Sequence, residues 1–151
     1  MSMIARIQQE MTDAMKTRQT LRLSVLRGIK TALKNKEIEK VRPLTEVEEI
    51  QVLQTLVKQR RESIEQFTKG GRNDLVSQEK AELEILETFL PAAVGRDEID
   101  AAVAAAIDEL QAASPKDMGR VMKAVMGRFA GKVVDGKMVN ELVRAKLGST
   151  D

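Results

Sequence analysis

The sequence predicts an all-α protein: a four-helix N-terminal part followed by a three-helix C-terminal bundle. Three observations predict it. Apolar residues recur at spacings of three and four along almost the whole chain, the repeat of one helix face. The interruptions are helix punctuation, with Ser, Thr or Asp ahead of apolar runs and Gly or Pro after them. No alternating stretch competes, and "KVVDG" is too short for a strand.

Taken in order, Ile4, Ile7, Met11 and Met15 mark a first amphipathic helix. A second runs from about Thr17 to Lys40. On a 100° wheel its Leu21, Val25, Leu26, Ile29, Ala32 and Leu33 share one face. Lys16, Arg27, Lys30 and Lys34 share the other. Pro43 breaks this helix, and Thr45 with Glu48 forms a capping box that starts the third. That helix reaches about Thr68 and should bury Ile50, Leu53, Val57, Ile64 and Phe67. Gly70 in "KGGRND" is placed to take the left-handed cap conformation. The fourth helix, about Asn73 to Leu90, carries the stripe Leu83, Leu86 and Leu90, with Phe89 at its edge. Pro91 stops it.

"LPAAVGRDEID" is the expected internal boundary, giving domains 1–92 and 93–151. Beyond it comes a short Ala-rich helix, "AAVAAAIDELQAA", whose small side chains allow close packing. Ser114, Pro115 and Asp117 then form the start signal of a sixth helix, which ends near Phe129. A seventh runs from about Asp135 to Leu147.

Composition removes several function classes. The chain has no His, Cys, Tyr or Trp. Ser-His-Asp and Cys-His catalysis and His/Cys metal sites are therefore out of reach. No cofactor and no metal are expected. Glu79, Glu82 and Glu87 are candidates for Mg²⁺, but on an exposed helix they read as a solvated face. Without cysteine there is no disulfide framework, and without an apolar run of about 18 residues no membrane span is expected. The N-terminus is too polar for a secretory signal. A cytoplasmic protein is expected.

The net charge of +2 is unevenly spread. Lys16 to Arg42 holds nine basic residues against two acidic, and Lys116 to Lys146 eight against three. Two such segments fit a directed basic surface, or else a set of solvated helix faces.

"VMGRFAGKVVDGKMVNEL", Val125 to Leu142, concentrates the question. Gly131 falls where the sixth helix ends and reads as a C-cap; Gly136 follows the N-cap Asp135. A phosphate loop is rejected, because Met138 stands where Ser or Thr is needed and no strand precedes. Gly127 lies mid-helix, opposite the arc Met118, Val121, Met122, Val125, Met126 and Phe129. It is ringed by Arg120, Lys123 and Arg128. It is either a tolerated surface glycine or bare backbone that admits a phosphodiester chain or another helix. Met118, Met122, Met126 and Met138 form a stripe that reads as core, or alternatively as a peptide groove.

Three blocks carry a resemblance: "RLSVLRGIKTALKNKEIEK", "VKQRRESIEQFTKGGRNDLVSQEKAELEILETFLP" and "KDMGRVMKAVMGRFAGKVVDGKMVNELV". In order and spacing they resemble the GatB/YqeY family, whose region also forms the C-terminal helical and tail part of the tRNA-dependent amidotransferase B subunit. The resemblance implies an all-helical fold in two parts and contact with tRNA. It does not carry over the glutamine-dependent carbon–nitrogen ligase chemistry, which resides in domains that nothing here matches. A link to that activity is implied only as an accessory. A bacterial, cytoplasmic module is expected, binding tRNA or other structured RNA through backbone and shape. The residues expected to do so are Arg120, Lys123, Gly127, Arg128, Lys132 and Lys137, with Arg27, Lys30 and Lys34 as a second patch. The alternative is an adaptor docking on an amidotransferase or aminoacyl-tRNA synthetase, through the Ala101 to Ala106 helix and the acidic Glu79 to Glu87 face.

Overall fold

A computed structural model describes residues 2–148. Its helices are α1 (Met3–Lys16), α2 (Thr20–Lys40), α3 (Glu46–Lys69), α4 (Asn73–Glu87), α5 (Arg96–Leu110), α6 (Met118–Arg128) and α7 (Gly136–Leu147), with a 3₁₀ turn at Pro115–Asp117. The protein is all-α, and no named strand occurs among the described residues. The chain divides into two compact units, Met1–Leu90 and Pro91–Asp151.

In the first unit α2 contacts α1, α3 and α4, and α3 pairs with α4. Its core gathers Ile7, Met11 and Ala14 of α1 with Val25, Leu26, Ile29 and Leu33 of α2. Leu53 and Val57 of α3 and Leu86 of α4 complete it with Phe89. Each set repeats at three or four residues, so each helix turns one stripe inward. Phe89 is a core residue rather than an edge one, and the Arg6 guanidinium lies 4.4 Å from its ring centroid. Met15, expected in the core, is 57% exposed; Ala14 takes the inward position. Leu21 is likewise exposed at the N-terminal end of α2.

In the second unit α5, α6 and α7 contact one another. They bury Ile99, Val103 and Ala106, then Val121, Val125 and Phe129, then Val139, Leu142, Val143 and Leu147. A single parallel bridge joins Ala93 to Val133, and the Val94 N–H donates to the Val133 carbonyl at 2.8 Å. The methionine stripe splits: Met118, Met122 and Met138 pack on the core, whereas Met126 stands exposed at its edge.

The ends of the helices follow local chemistry. The Thr45 hydroxyl accepts from the Glu48 N–H, and the Glu48 carboxylate accepts from the Thr45 N–H at 2.9 Å. The same carboxylate takes Arg42 through two bonds of 2.7 and 3.0 Å. This arginine holds the Glu48 carboxyl well below the usual range. After α3 it is Gly71, with φ 71°, that adopts the left-handed conformation; Gly70 stays right-handed. α6 ends at Arg128 with Phe129 as its cap, so Gly131, expected as that cap, lies instead in the turn beyond, left-handed at φ 80°, where the Lys132 N–H donates to the Phe129 carbonyl at 2.9 Å. Asp135 caps α7 by accepting from the Lys137 N–H at 3.0 Å.

One terminus is unusual. Val41 closes α2 at φ 56°, a left-handed conformation that disfavours β-branched residues by about 1–2 kcal/mol. Val41→Gly is therefore expected to raise stability by about 1 kcal/mol in urea denaturation.

Candidate nucleic-acid interface

The candidate cations lie on two helical surfaces, one in each unit. On α2, Arg27, Lys30 and Lys34 are spaced three and four apart and project from one side, as the helical repeat requires. They line a depression of about 410 Å³ together with Met11, Thr31 and Asn35. None of the lining residues is acidic. Lys30 Nζ donates to Gln8 Oε1 at 2.5 Å, which steadies it against α1. Lys34 is only loosely paired, 3.8 Å from Glu37.

Beside this row runs a second exposed one, Ser24, Gly28, Thr31 and Asn35. Gly28 was not singled out from the sequence, although its mid-helix position was signal enough. A Cβ built there meets nothing within 4 Å. The fold therefore has no steric need for glycine at this position. α2 thus carries a bare backbone patch edged by Arg27 and Thr31.

The second surface is on α6 and the turn beyond. Arg120, Lys123 and Gly127 follow the helical repeat and are exposed. A Cβ at Gly127 also meets nothing within 4 Å. Gly28→Ala and Gly127→Ala are each expected to stabilise the fold by about 1 kcal/mol in chemical denaturation.

The expected ring of three cations around Gly127 is only partly assembled. Arg120 donates to Asp117 Oδ1 at 2.8 Å, and the guanidinium holds that carboxyl below its ordinary value. Arg128 reaches Glu109 of α5 at 2.6 Å. Lys132 lies 3.9 Å from Glu98 of the same helix. Lys123 and Lys137 are exposed, with no ion pair to a described residue. The α6 surface is therefore partly neutralised, and the α2 surface much less so.

The acidic row on α4 is occupied within the fold. Arg60 of α3 pairs with both Glu79, at 3.2 Å, and Glu82. Gln78 donates to the other Glu82 oxygen at 3.2 Å. Glu82 is 8% exposed, so the solvated-face reading does not hold for it. Its position four residues before Leu86 was the available signal. Among the described residues no group of acidic side chains is arranged to hold a metal ion. No helix among them is long and apolar enough to cross a membrane. The Ala101 to Ala106 stretch is also partly consumed, since Val103 and Ala106 are core.

Fold and surface together define a class: an all-α protein of two helical units, each presenting a cationic helix face with an exposed glycine. Comparison with known proteins gives the family. The model of the family described as Yqey-like protein matches residues 4–147, and the chain belongs to that family. Curated relatives bear the name altered inheritance of mitochondria protein 41, mitochondrial. That of Kluyveromyces lactis is 35% identical over 139 residues, 89% of this chain and 73% of the relative. That of Lachancea thermotolerans is 35% identical over 116 residues, 74% and 62% respectively. That of Pyrenophora tritici-repentis is 29% identical over 150 residues, 97% and 81%. These relatives are fungal and carry the word mitochondrial in their names, which overturns the expectation of a bacterial, cytoplasmic protein.

Proposed function

We propose that this YqeY-like protein is an RNA-binding module without catalysis of its own. Its ligand is structured RNA held by backbone and shape. tRNA is the class that the resemblance to the amidotransferase B subunit brings forward, with the module acting as an accessory to glutamine-dependent amide transfer. The observation that carries the reading is the α2 face. There, Arg27, Lys30 and Lys34 line one depression free of carboxylates, beside bare backbone at Gly28. Phosphate oxygens are met by such cations without base readout. With three Phe and no Tyr or Trp, stacking on splayed bases has little to draw on.

The α6 face contributes through Lys123, Lys137 and the open approach at Gly127, with Arg120, Arg128 and Lys132 exchanging their acidic partners for phosphate. A direct test compares Gly127→Leu with Lys123→Ala in tRNA titrations. Leucine there projects into open space and raises helix propensity, so the fold is retained. Both variants are expected to weaken binding to a similar degree. Full affinity in Gly127→Leu would remove α6 from the interface.

A further inference from the structure

Cations are not the whole lining of the α2 depression. Thr31 and Asn35 stand among Arg27, Lys30 and Lys34, and no carboxylate is present. Thr31 follows Arg27 by four residues and precedes Lys34 by three, so it lies between them on one helical face. Its hydroxyl behaves unlike the others. Thr12, Thr17, Thr55 and Thr68 each donate to the carbonyl four residues back, at 3.1, 2.8, 3.1 and 2.6 Å. Thr31 makes no such bond. Neither its hydroxyl nor the Asn35 amide has a hydrogen-bond partner among the described residues. Arg27 has no ion pair among them either, and Lys30 is held by the neutral Gln8.

Phosphate oxygens accept hydrogen bonds, so the three cations already answer them. A hydroxyl and a carboxamide both donate and accept. They match a group of the same double character lying beside a phosphate, and in RNA that group is the ribose 2′-hydroxyl. No aromatic ring lines the depression, and Phe89 and Phe129 are core residues. Splayed bases would have nothing to stack on here, which favours a ligand whose bases stay stacked in their own helix. The minor groove of A-form RNA is wide and shallow and displays its 2′-hydroxyls. Arg27 to Lys34 offers it about 10 Å of helix, with open backbone at Gly28.

We infer, given RNA binding at α2 as proposed above, that this face recognises the 2′-hydroxyls of a double-helical RNA stem across its minor groove. Arg27, Lys30 and Lys34 take phosphates, and Thr31 and Asn35 take the adjoining 2′-hydroxyls. The face thereby selects RNA over DNA without reading base sequence.

The test titrates the full chain at low salt with tRNA, an RNA duplex, its single strand, and the same duplex with 2′-fluoro in place of every 2′-hydroxyl. The fluoro duplex keeps the A-form and its phosphates but loses the hydroxyl. The RNA duplex is expected to bind about three- to tenfold more tightly than the fluoro duplex, the scale of one net hydrogen bond. It should also bind more tightly than the single strand. Thr31→Val/Asn35→Ala removes no charge and no contact within the fold, so its melting curve and salt slope should match the unaltered protein. This variant should bind the RNA duplex as weakly as the fluoro duplex, whose own affinity should not change. Arg27→Gln should weaken both duplexes alike. Equal affinity for the two duplexes, preference for the single strand, or discrimination that survives in the variant would overturn the inference and leave backbone binding standing. Binding of neither tRNA nor duplex would overturn both.

Discussion

Replacing Arg27, Lys30 and Lys34 together by glutamine is expected to weaken tRNA binding by roughly ten- to a hundredfold at low salt. All three side chains line the same depression and none is essential to the core, so the fold should persist. If each meets one phosphate, the plot of log K against log salt should lose about 2–3 units of slope, since each neutralised phosphate contributes about 0.7–0.9. The paired cations of the second unit give an internal comparison. Arg120 and Arg128 already face Asp117 and Glu109, so contact with phosphate must compete with those carboxylates. Arg120→Gln and Arg128→Gln should therefore lose less affinity per residue than the α2 substitutions. A triple variant with an unchanged salt slope would remove the α2 face from the account.

Arg60→Ala should cost about 2–3 kcal/mol of stability, the largest effect expected from any charged residue here. One guanidinium serves two carboxylates, Glu79 and Glu82, between α3 and α4. Removing it leaves Glu82, 8% exposed, with the Gln78 amide as its remaining neighbour in that cluster. Stranding one partner of a buried pair costs about 3–5 kcal/mol; the figure is reduced here because Arg60 is itself a quarter exposed. Replacing both partners is different, since no unpaired charge remains. Arg60→Ala/Glu82→Leu should recover most of the loss in urea denaturation. A cost for Arg60→Ala no larger than that of an ordinary surface change, about 0.5 kcal/mol, would contradict the pairing.

Much of the fold was legible because each element carries local signals. The capping box at Thr45 and Glu48, the cap at Asp135 and the left-handed Gly131 are set by neighbours three or four residues away. What failed depends on partners distant in sequence. A wheel places Met15, Leu21 and Met126 at the edge of an apolar arc, and only the neighbouring helix decides whether an edge is covered. Gly70 and Gly71 are equivalent by residue type; the hydrogen bond from the Arg72 N–H to the Phe67 carbonyl, at 2.9 Å, places the reversal at Gly71.

The candidate surface was legible in composition but not in pairing. The two basic segments are plain in the sequence, yet Arg128 and Lys132 reach back to Glu109 and Glu98 of α5, far outside the three- or four-residue reach of a helix face. The same distance hid the role of Glu82, whose partner Arg60 lies on another helix. The left-handed helix end at Val41 had no residue-type signal, since such a position ordinarily favours glycine or asparagine.

Structured RNA held by these cationic helix faces through its phosphate backbone would release bound counterions, so its affinity must depend on salt. Filter binding of tRNA to the full chain, repeated across a salt series, tests it most directly. Tight binding is expected at low salt, falling steeply and linearly on a log–log scale as salt rises. No binding at low salt, or an affinity that does not change with salt, would contradict it.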